Sequence, residues 1–252
     1  MTSKAPIQVS VSFAPWQLDE MSLNDKNIVV IDVLRASTTI ATALRNGAKE
    51  IIPVSNIDSA VKISSSLFGD VTLRGGERNG KMIEGFNLGN SPREYTREAV
   101  DGKTIIFLTT NGSAAMVKGR YAKNQLVAGF VNLTSVVNYL VGLESDFMLI
   151  CSGQDNRFCI EDAVCAGKII AAYERATGSD VLPDDSALAA AALEKSFGKN
   201  ILKLLKQSAH GRYLTDIGFA EDLQTCAEVD TIPVLPLLAG SVIRAHKENP
   251  KL

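Results

Sequence analysis

Short apolar runs and longer amphipathic stretches alternate along most of this chain. The apolar runs predict β-strands at residues 8–13, 28–31, 51–54, 71–74, 104–108, 126–128, 147–151 and 232–235, and residues 241–245 fit one more. Stretches with helical spacing lie between most of them, at residues 37–45, 58–67, 92–99, 113–118 and 134–143. Because strands alternate with helices, we expect an α/β fold of three layers, α/β/α, around a mainly parallel or mixed sheet.

The region from residue 160 to about residue 223 has a helical pattern, with breaks near residues 178–183 and at Gly198. Asp184 or Asp185 is predicted to cap a helix over residues 187–194, since a carboxylate there accepts free N–H groups of the first turn. A chain of 252 residues can form one large α/β domain or two small ones, and we expect a single domain over residues 1–252.

A weak internal repeat at an offset of 76 or 77 residues suggests two related βαβα halves. Residues 29–31 resemble residues 105–107, residues 54–57 resemble 130–133, and residues 83–84 resemble 160–161. General likeness among βα units explains the same matches, and the sequence does not separate the two explanations. A true repeat would place two strand ends at matching positions, with a site between the halves.

Composition excludes several classes of function. The net charge of −2 and the pI of about 5.8 leave no basic surface for nucleic acid. No apolar run approaches the ~20 residues of a membrane span, and the first residues lack an apolar signal core. We therefore expect a cytoplasmic protein without nucleic-acid or membrane partners, for which a homo-oligomer is compatible with the sequence. Paired Cys-x-x-Cys spacing is absent, so no zinc site is expected, and four free thiols are: Cys151, Cys159, Cys165 and Cys226.

The end of the strand at residues 28–31 carries the most informative chemistry. Asp32 follows the strand, Arg35 comes three residues later, and a Ser/Thr cluster opens the next helix. Ligands of α/β folds bind at the carboxyl ends of strands, where an aspartate can hold a metal or attack phosphorus. A guanidinium matches phosphate or sulfonate in geometry. A plain helix cap would explain Asp32 equally well.

Two further loops carry candidate ligands. Glu77 and Arg78 lie in a glycine-rich segment after a predicted strand, where Glu77 could bind a cation. The turn of Asn111, Gly112 and Ser113 suits a phosphate but lacks the spacing of a nucleotide-binding loop. Ordinary turn and cap preferences would also account for both segments.

Cys151 and Arg157 have the Cys-x5-Arg spacing of cysteine-dependent phosphatases, in which a thiolate attacks and the arginine clamps the phosphate. Ile150 stands where those enzymes often carry a histidine, and Asp155 would place a like charge inside the phosphate loop. Arg157 as an anion clamp without the thiolate is therefore the preferred interpretation.

Glu161 and Asp162 open the helix after that loop, where carboxylates favour the helix dipole. Alternatively, one of them reaches a metal shared with Asp32, since Mg²⁺ takes one or two carboxylates together with water and phosphate.

Asp230 is a further strand-end carboxylate. His210 lies in a Ser-Ala-His-Gly-Arg segment that reverses the Arg-His-Gly order of phosphohistidine enzymes, so we expect a surface or hydrogen-bonding role. Gly-x-Ser-x-Gly is absent, which excludes an α/β-hydrolase.

Taken in order, five segments resemble the 2-phosphosulfolactate phosphatase family over nearly the whole chain. They are Ile31-Asp-Val-Leu-Arg-Ala-Ser-Thr-Thr39, Gly75-Gly-Glu-Arg78, Asn87-Leu-Gly-Asn-Ser-Pro92, Thr109-Thr-Asn-Gly-Ser113, and Ser152-Gly153 through Glu161-Asp162. The resemblance implies a Mg²⁺-dependent phosphatase with an α/β/α fold that converts 2-phospho-3-sulfolactate to sulfolactate, a step toward coenzyme M. It also implies that phosphate esters of related α-hydroxy acids are substrates. The family often carries aspartate where this chain has Asn87.

On this basis Mg²⁺ would be held by Asp32 with one or more of Glu77, Glu161 and Asp162. Asp32 and Arg35 are the expected catalytic residues, with either a water molecule or Asp32 as nucleophile. The expected phosphate- and substrate-binding residues are Glu77, Arg78, Asn111, Gly112, Ser113, Gly153 and Arg157.

A haloacid-dehalogenase-type enzyme is disfavoured because Leu34 replaces the second aspartate of Asp-x-Asp. A non-catalytic protein that binds small dianions would share the glycine and arginine loops but would not need the carboxylates.

Overall fold

The computed structural model describes residues 6–66 and 71–246, and eleven strands within them form one mixed sheet. The strands are β1 (Gln8–Ser12), β2 (Asn27–Ile31), β3 (Glu50–Pro53), β4 (Thr72–Arg78), β5 (Lys81–Met82), β6 (Thr104–Leu108), β7 (Asn124–Ala128), β8 (Phe147–Cys151), β9 (Leu182–Pro183), β10 (Pro236–Ala239) and β11 (Val242–Ala245). Their order across the sheet is β5-β4-β6-β3-β11-β10-β7-β2-β8-β1-β9. The α/β class predicted from the sequence is confirmed.

Ten α-helices accompany the sheet within the described ranges. They are α1 (Ala36–Arg45), α2 (Ile57–Ser66), α3 (Arg97–Val100), α4 (Gly112–Lys118), α5 (Leu133–Leu143), α6 (Ile160–Thr177), α7 (Asp185–Phe197), α8 (Ile201–Gln207), α9 (Ala209–Asp216) and α10 (Asp222–Ala227). Asp184 caps α7 by accepting the N–H of Ala187 at 2.7 Å, as predicted. In the part of the chain that is described, none of these helices has the length and apolar character of a membrane span.

Successive residues of the central strands point to opposite faces of the sheet, and helices cover both faces. In β2, Val29 and Ile31 pack into a core formed with α5 to α8, whereas Ile28 and Val30 pack into a second core formed with α1 and α4. All five residues of β2 are buried, as expected for a strand covered on both faces. This three-layer arrangement places the carboxyl ends of β2 and β6 beneath the connecting loops.

Three details differ from the sequence prediction. The strand predicted at residues 232–235 is wrong: the chain enters the sheet at Pro236, and β10 and β11 form an antiparallel hairpin between β3 and β7. Pro233 lacks an N–H donor, which explains why no strand forms at residues 232–235, whereas Pro236 is tolerated as the first residue of a strand. Residues 92–99, predicted as one helix, instead form a 3₁₀ turn at Pro92–Glu94 followed by α3. Thr96 is the N-cap of α3. Strand β4 continues to Arg78, so Glu77 lies within it.

Two predictions fall outside the described residues. They are the absence of a targeting segment in residues 1–5 and the last residue, 67, of the helix predicted at residues 58–67.

The strand order supports the internal repeat. At this offset, β2, β3 and β4 correspond to β6, β7 and β8. Strand β6 lies between β3 and β4, and β2 lies between β7 and β8. Two copies of one unit that exchange their first strands would give this order. Ile105 pairs with Leu73, and at the same offset Val29 pairs with Leu149. Helices α2 and α5 also begin at matching positions. Residues 83–84 and 160–161 do not occupy matching positions in the structure, because Glu84 lies in an exposed turn and Glu161 is buried in a helix.

Candidate active site

Two similar turns form the floor of a cleft at the ends of β2 and β6. The N–H of Asp32 donates to the Ser37 hydroxyl at 2.9 Å, and the N–H of Thr109 donates to the Ser113 hydroxyl at the same distance. Asp32 Oδ1 accepts the N–H of Ala36, the first residue of α1, at 3.1 Å, although the N-cap position itself is Arg35. The structural repeat thus brings two strand-to-helix turns together, and one of them carries an aspartate.

Gly112 brings the second turn into contact with Asp32. A Cβ atom at Gly112 would lie 2.5 Å from Asp32 Oδ2 and 2.7 Å from the Ala36 Cβ. Since both distances are well below van der Waals contact, only glycine lets the backbone approach the carboxylate this closely.

We therefore expect Gly112→Ala to reduce turnover about 100-fold, because the added methyl group displaces Asp32 by about an ångström. The matched control is Gly142→Ala in α5, where an added Cβ meets nothing within 4 Å. That control should keep full turnover and gain up to about 1 kcal/mol of stability from helix propensity. Phosphate release and thermal unfolding of the two variants test this; equal turnover in both would contradict it.

Glu77 and Asp162 each join two loops at the cleft. Asp162 Oδ1 accepts the N–H of Val33 at 2.9 Å, and its Oδ2 accepts the N–H of Gly153 at 3.0 Å. Glu77 accepts the N–H groups of Thr110 and Gly80, both at 2.7 Å. The two carboxylates therefore hold the backbone around Asp32 as well as adding negative charge.

His210 lies in the wall of the cleft, and Glu161 borders a neighbouring cavity that His210 also lines. The Glu161 side chain is 2% exposed, and its Oε1 lies 3.5 Å from His210 Nδ1. No hydrogen-bond partner for this oxygen is found among the described residues. His210, for which the sequence predicts a surface or hydrogen-bonding role, is 13% exposed in its side chain and faces the carboxylates.

Negative charge is concentrated at this buried position. The pKa of Asp32 is raised to about 6, chiefly by burial; Glu77 and Glu161 add to the shift, whereas His210 and the N–H of Ala36 oppose it. Burial, together with Asp32 and Glu161, raises the pKa of Asp162 well above its usual range. A cation bound among these oxygens would relieve the repulsion, so the donor set fits a hard divalent metal ion such as Mg²⁺.

Arg35 lies under the cleft in a network that sequence reasoning did not find. Its guanidinium donates to Asp222 Oδ2 and to the Gly80 carbonyl, both at 2.7 Å, and stacks 4.3 Å from the Phe219 ring centroid. Asp222 Oδ1 accepts the Ser91 hydroxyl at 2.6 Å. Both side chains of the ion pair are at most 2% exposed.

The cleft encloses a cavity of about 200 Å³, large enough for a small phosphate ester. Its wall includes Asp32, Arg35, Glu77, Asn79, Asn90, Thr109, Thr110, Asn111, Gln154, His210 and Tyr213. The Tyr213 hydroxyl donates to the Asn79 carbonyl at 2.8 Å and so joins α9 to the loop after β4. The spacing pattern did not indicate His210 or Tyr213, because both come from α9, far along the chain.

Several predicted binding residues lie away from this cavity. Arg157 is exposed and borders a neighbouring cavity, and Arg78 is half-buried outside the wall. Ser113 is fully buried, and its N–H and hydroxyl are used within its own turn. Gly153, at a φ of 66°, shapes the loop that Asp162 anchors. Asn87 is exposed and accepts the N–H of Arg74.

Cys151 does not reach the cavity either. It is fully buried in β8, within the apolar core on one face of the sheet. Burial and the neighbouring Asp162 raise the pKa of its thiol well above the usual range, so the nucleophilic thiolate does not form there. The geometry therefore argues against the cysteine-dependent alternative.

Comparison with known proteins relates the chain to one family. The sequence profile of a family described as 2-phosphosulpholactate phosphatase matches residues 13–241. A "Probable 2-phosphosulfolactate phosphatase" from Caldanaerobacter subterraneus subsp. tengcongensis is 38% identical over 232 residues, covering 92% of this chain and 95% of that protein. Proteins with the same name from Thermotoga maritima (40% over 217 residues; 86% and 91%) and Synechocystis sp. (38% over 232 residues; 91% and 95%) are also similar.

Proposed function

This chain belongs to the 2-phosphosulpholactate phosphatase family, and we propose that it hydrolyses 2-phospho-3-sulfolactate to sulfolactate and inorganic phosphate. The observation that carries the proposal is the group of buried carboxylates around Asp32 at the edge of a small polar cavity. A protein that only binds small dianions gains nothing from Asp32 and Glu77 in the cavity wall, since carboxylates repel its ligand. A phosphatase that binds a divalent cation needs them.

We propose that Mg²⁺ is the cation and that Asp32 and Glu161 are its protein ligands. Glu161 Oε1 has no hydrogen-bond partner in the described structure, and Asp32 Oδ2 faces the turn at Gly112. Glu77 and Asp162, whose oxygens accept backbone N–H groups, are proposed to support them. When bound, the ion would neutralise phosphate charge and polarise phosphorus.

The chain's own groups bind and orient the ester. Arg35 adds positive charge at the cavity wall, held there by Asp222 and Gly80. The turn at Asn111 and Gly112 brings backbone N–H groups near Asp32, which suits phosphate oxygens. The attacking group is either water, oriented by Asp32, or the Asp32 carboxylate itself. The reaction requires Asp32 in both cases.

The substrate is tested by phosphate release from 2-phospho-3-sulfolactate beside phospholactate, which has the same ester but no sulfonate. Losing one charge-assisted contact should lower kcat/KM about 10- to 100-fold for phospholactate. Equal rates would indicate a broader specificity for α-hydroxy acid esters. Turnover of neither compound, with binding retained, would contradict a phosphatase acting on these esters.

Cys151→Ser should keep turnover within about twofold, because its thiol is buried and protonated away from the cavity. Cys165→Ser in α6 is a matched control, since Cys165 is equally buried in the same core. Both variants are compared by phosphate release after their unfolding temperatures are measured. Selective loss of turnover in folded Cys151→Ser would revive the cysteine mechanism.

A further inference from the structure

Three side chains with different ligand atoms meet where α6 and α9 begin. A ligand atom from each of Cys159, Glu161 and His210 lies within 4.8 Å of the other two. Cys159 directly precedes α6, Glu161 is in its first turn, and His210 is in the first turn of α9. The fold therefore brings a thiol, a carboxylate and an imidazole together from two separate segments.

The Glu161 carboxylate is directed into this group without a complete set of partners. The residue is 1% exposed, and no hydrogen bond to its Oε1 is found in the described part of the chain. The His210 Nδ1 lies 3.5 Å away. An unpaired buried carboxylate oxygen costs free energy, and a cation between the three side chains would satisfy it.

A cavity of about 470 Å³ borders all three residues; it adjoins the cleft that contains Asp32 and shares His210 with the wall of that cleft. Arg157 and Phe158 form part of its outer wall. The cavity provides an entry path for a hydrated ion and room for a fourth ligand, such as a water molecule.

We propose that Cys159, Glu161 and His210 bind a thiophilic divalent cation, for which Zn²⁺ is the best match. Sulfur, nitrogen and oxygen are all zinc ligands, whereas Mg²⁺ avoids sulfur. With Zn–N and Zn–O bonds of about 2.0–2.1 Å and a Zn–S bond of about 2.3 Å, ligand atoms around a tetrahedral ion are about 3.3–3.6 Å apart. The atoms of Glu161 and His210 already lie 3.5 Å apart. Cys159 would have to approach them by up to about an ångström, and its thiol proton would pass to solvent on binding. Sequence spacing missed this group because no two cysteines take part.

The site would share Glu161 with the proposed Mg²⁺ site. Zn²⁺ bound to Cys159 would therefore withdraw Glu161 from Mg²⁺ and inhibit turnover. This inhibition rests on the proposed function, whereas zinc binding itself does not.

Titration of the metal-free full-length protein with Co²⁺, a coloured substitute for Zn²⁺, tests the site without any substrate. We expect one equivalent to give a thiolate-to-cobalt absorption band in the near ultraviolet. Zn²⁺ should remove the band at equivalent concentration, whereas Mg²⁺, which competes only for Glu161, should weaken it only at far higher concentrations. Absence of a thiolate band would overturn the proposal and leave the phosphatase assignment untouched.

Variants assign the band to its ligands. Cys159→Ala should lose it, whereas Cys165→Ala, which removes another buried thiol of α6, should keep it. Retention of the band in Cys159→Ala would overturn the proposal. His210→Gln retains the thiol and should weaken Zn²⁺ binding about tenfold or more. Unchanged Zn²⁺ affinity in this variant would also overturn the proposal, even if Cys159→Ala does not fold.

Discussion

Asp32→Asn is expected to lower turnover of 2-phospho-3-sulfolactate by about a thousandfold or more while the protein stays folded. The substitution removes the charge that a metal ion requires and weakens the group that would attack phosphorus or orient water. Asparagine keeps an oxygen that can accept the N–H of Ala36, so the turn at the start of α1 is preserved. Steady-state phosphate release over a range of Mg²⁺ concentrations measures the loss.

The same variant should unfold at an equal or higher temperature than the unsubstituted protein in EDTA at pH 7. Burial raises the pKa of Asp32 to about 6, so the ionised carboxylate costs folding free energy above that pH. The cost disappears below the unfolded-state value of 3.8, where Asp32 is protonated in both states. The uncharged amide removes the cost at neutral pH, so the gain in stability should vanish near pH 3. Full turnover, or loss of turnover through unfolding, would contradict the role assigned to Asp32.

Asp222→Ala is expected to destabilise the protein by about 3–5 kcal/mol and to reduce turnover strongly. It leaves the Arg35 guanidinium buried without its anion, and removing one partner of a buried ion pair costs this much. The Ser91 hydroxyl loses its acceptor as well. Urea unfolding followed by fluorescence or circular dichroism measures the free energy of unfolding.

The double variant Arg35→Met with Asp222→Leu separates stability from activity. Replacing both charges by apolar side chains of similar size should recover most of the lost stability. Turnover should stay at least about 100-fold low, because the cavity then lacks its arginine. Recovery of turnover together with stability would show that Arg35 has a purely structural role.

The sequence predicts the fold class and most elements because buried strands and amphipathic helices follow local periodicity. The prediction fails where the backbone is locally constrained, as at Pro233, which lacks an N–H donor and precedes the start of β10 at Pro236. It also fails for β5 and β9, which have two residues each and carry no periodic signal.

For the site, the sequence indicates residues that follow strands, and Asp32, Glu77 and Asn111 do line the cavity. Contacts between distant segments could not be predicted. Arg35 meets Asp222, and Glu161 meets His210, only because α9 and α10 fold back over the strand ends. The Cys-x5-Arg spacing was misleading because Cys151 points into the core while Arg157 is exposed.

The carboxylates around Asp32 are proposed to hold Mg²⁺ for phosphate ester hydrolysis. The decisive measurement is phosphate release from 2-phospho-3-sulfolactate, first with Mg²⁺ and then with EDTA. We predict turnover with Mg²⁺, its loss in EDTA and its recovery when Mg²⁺ is restored. Turnover that continues unchanged in EDTA would contradict the account.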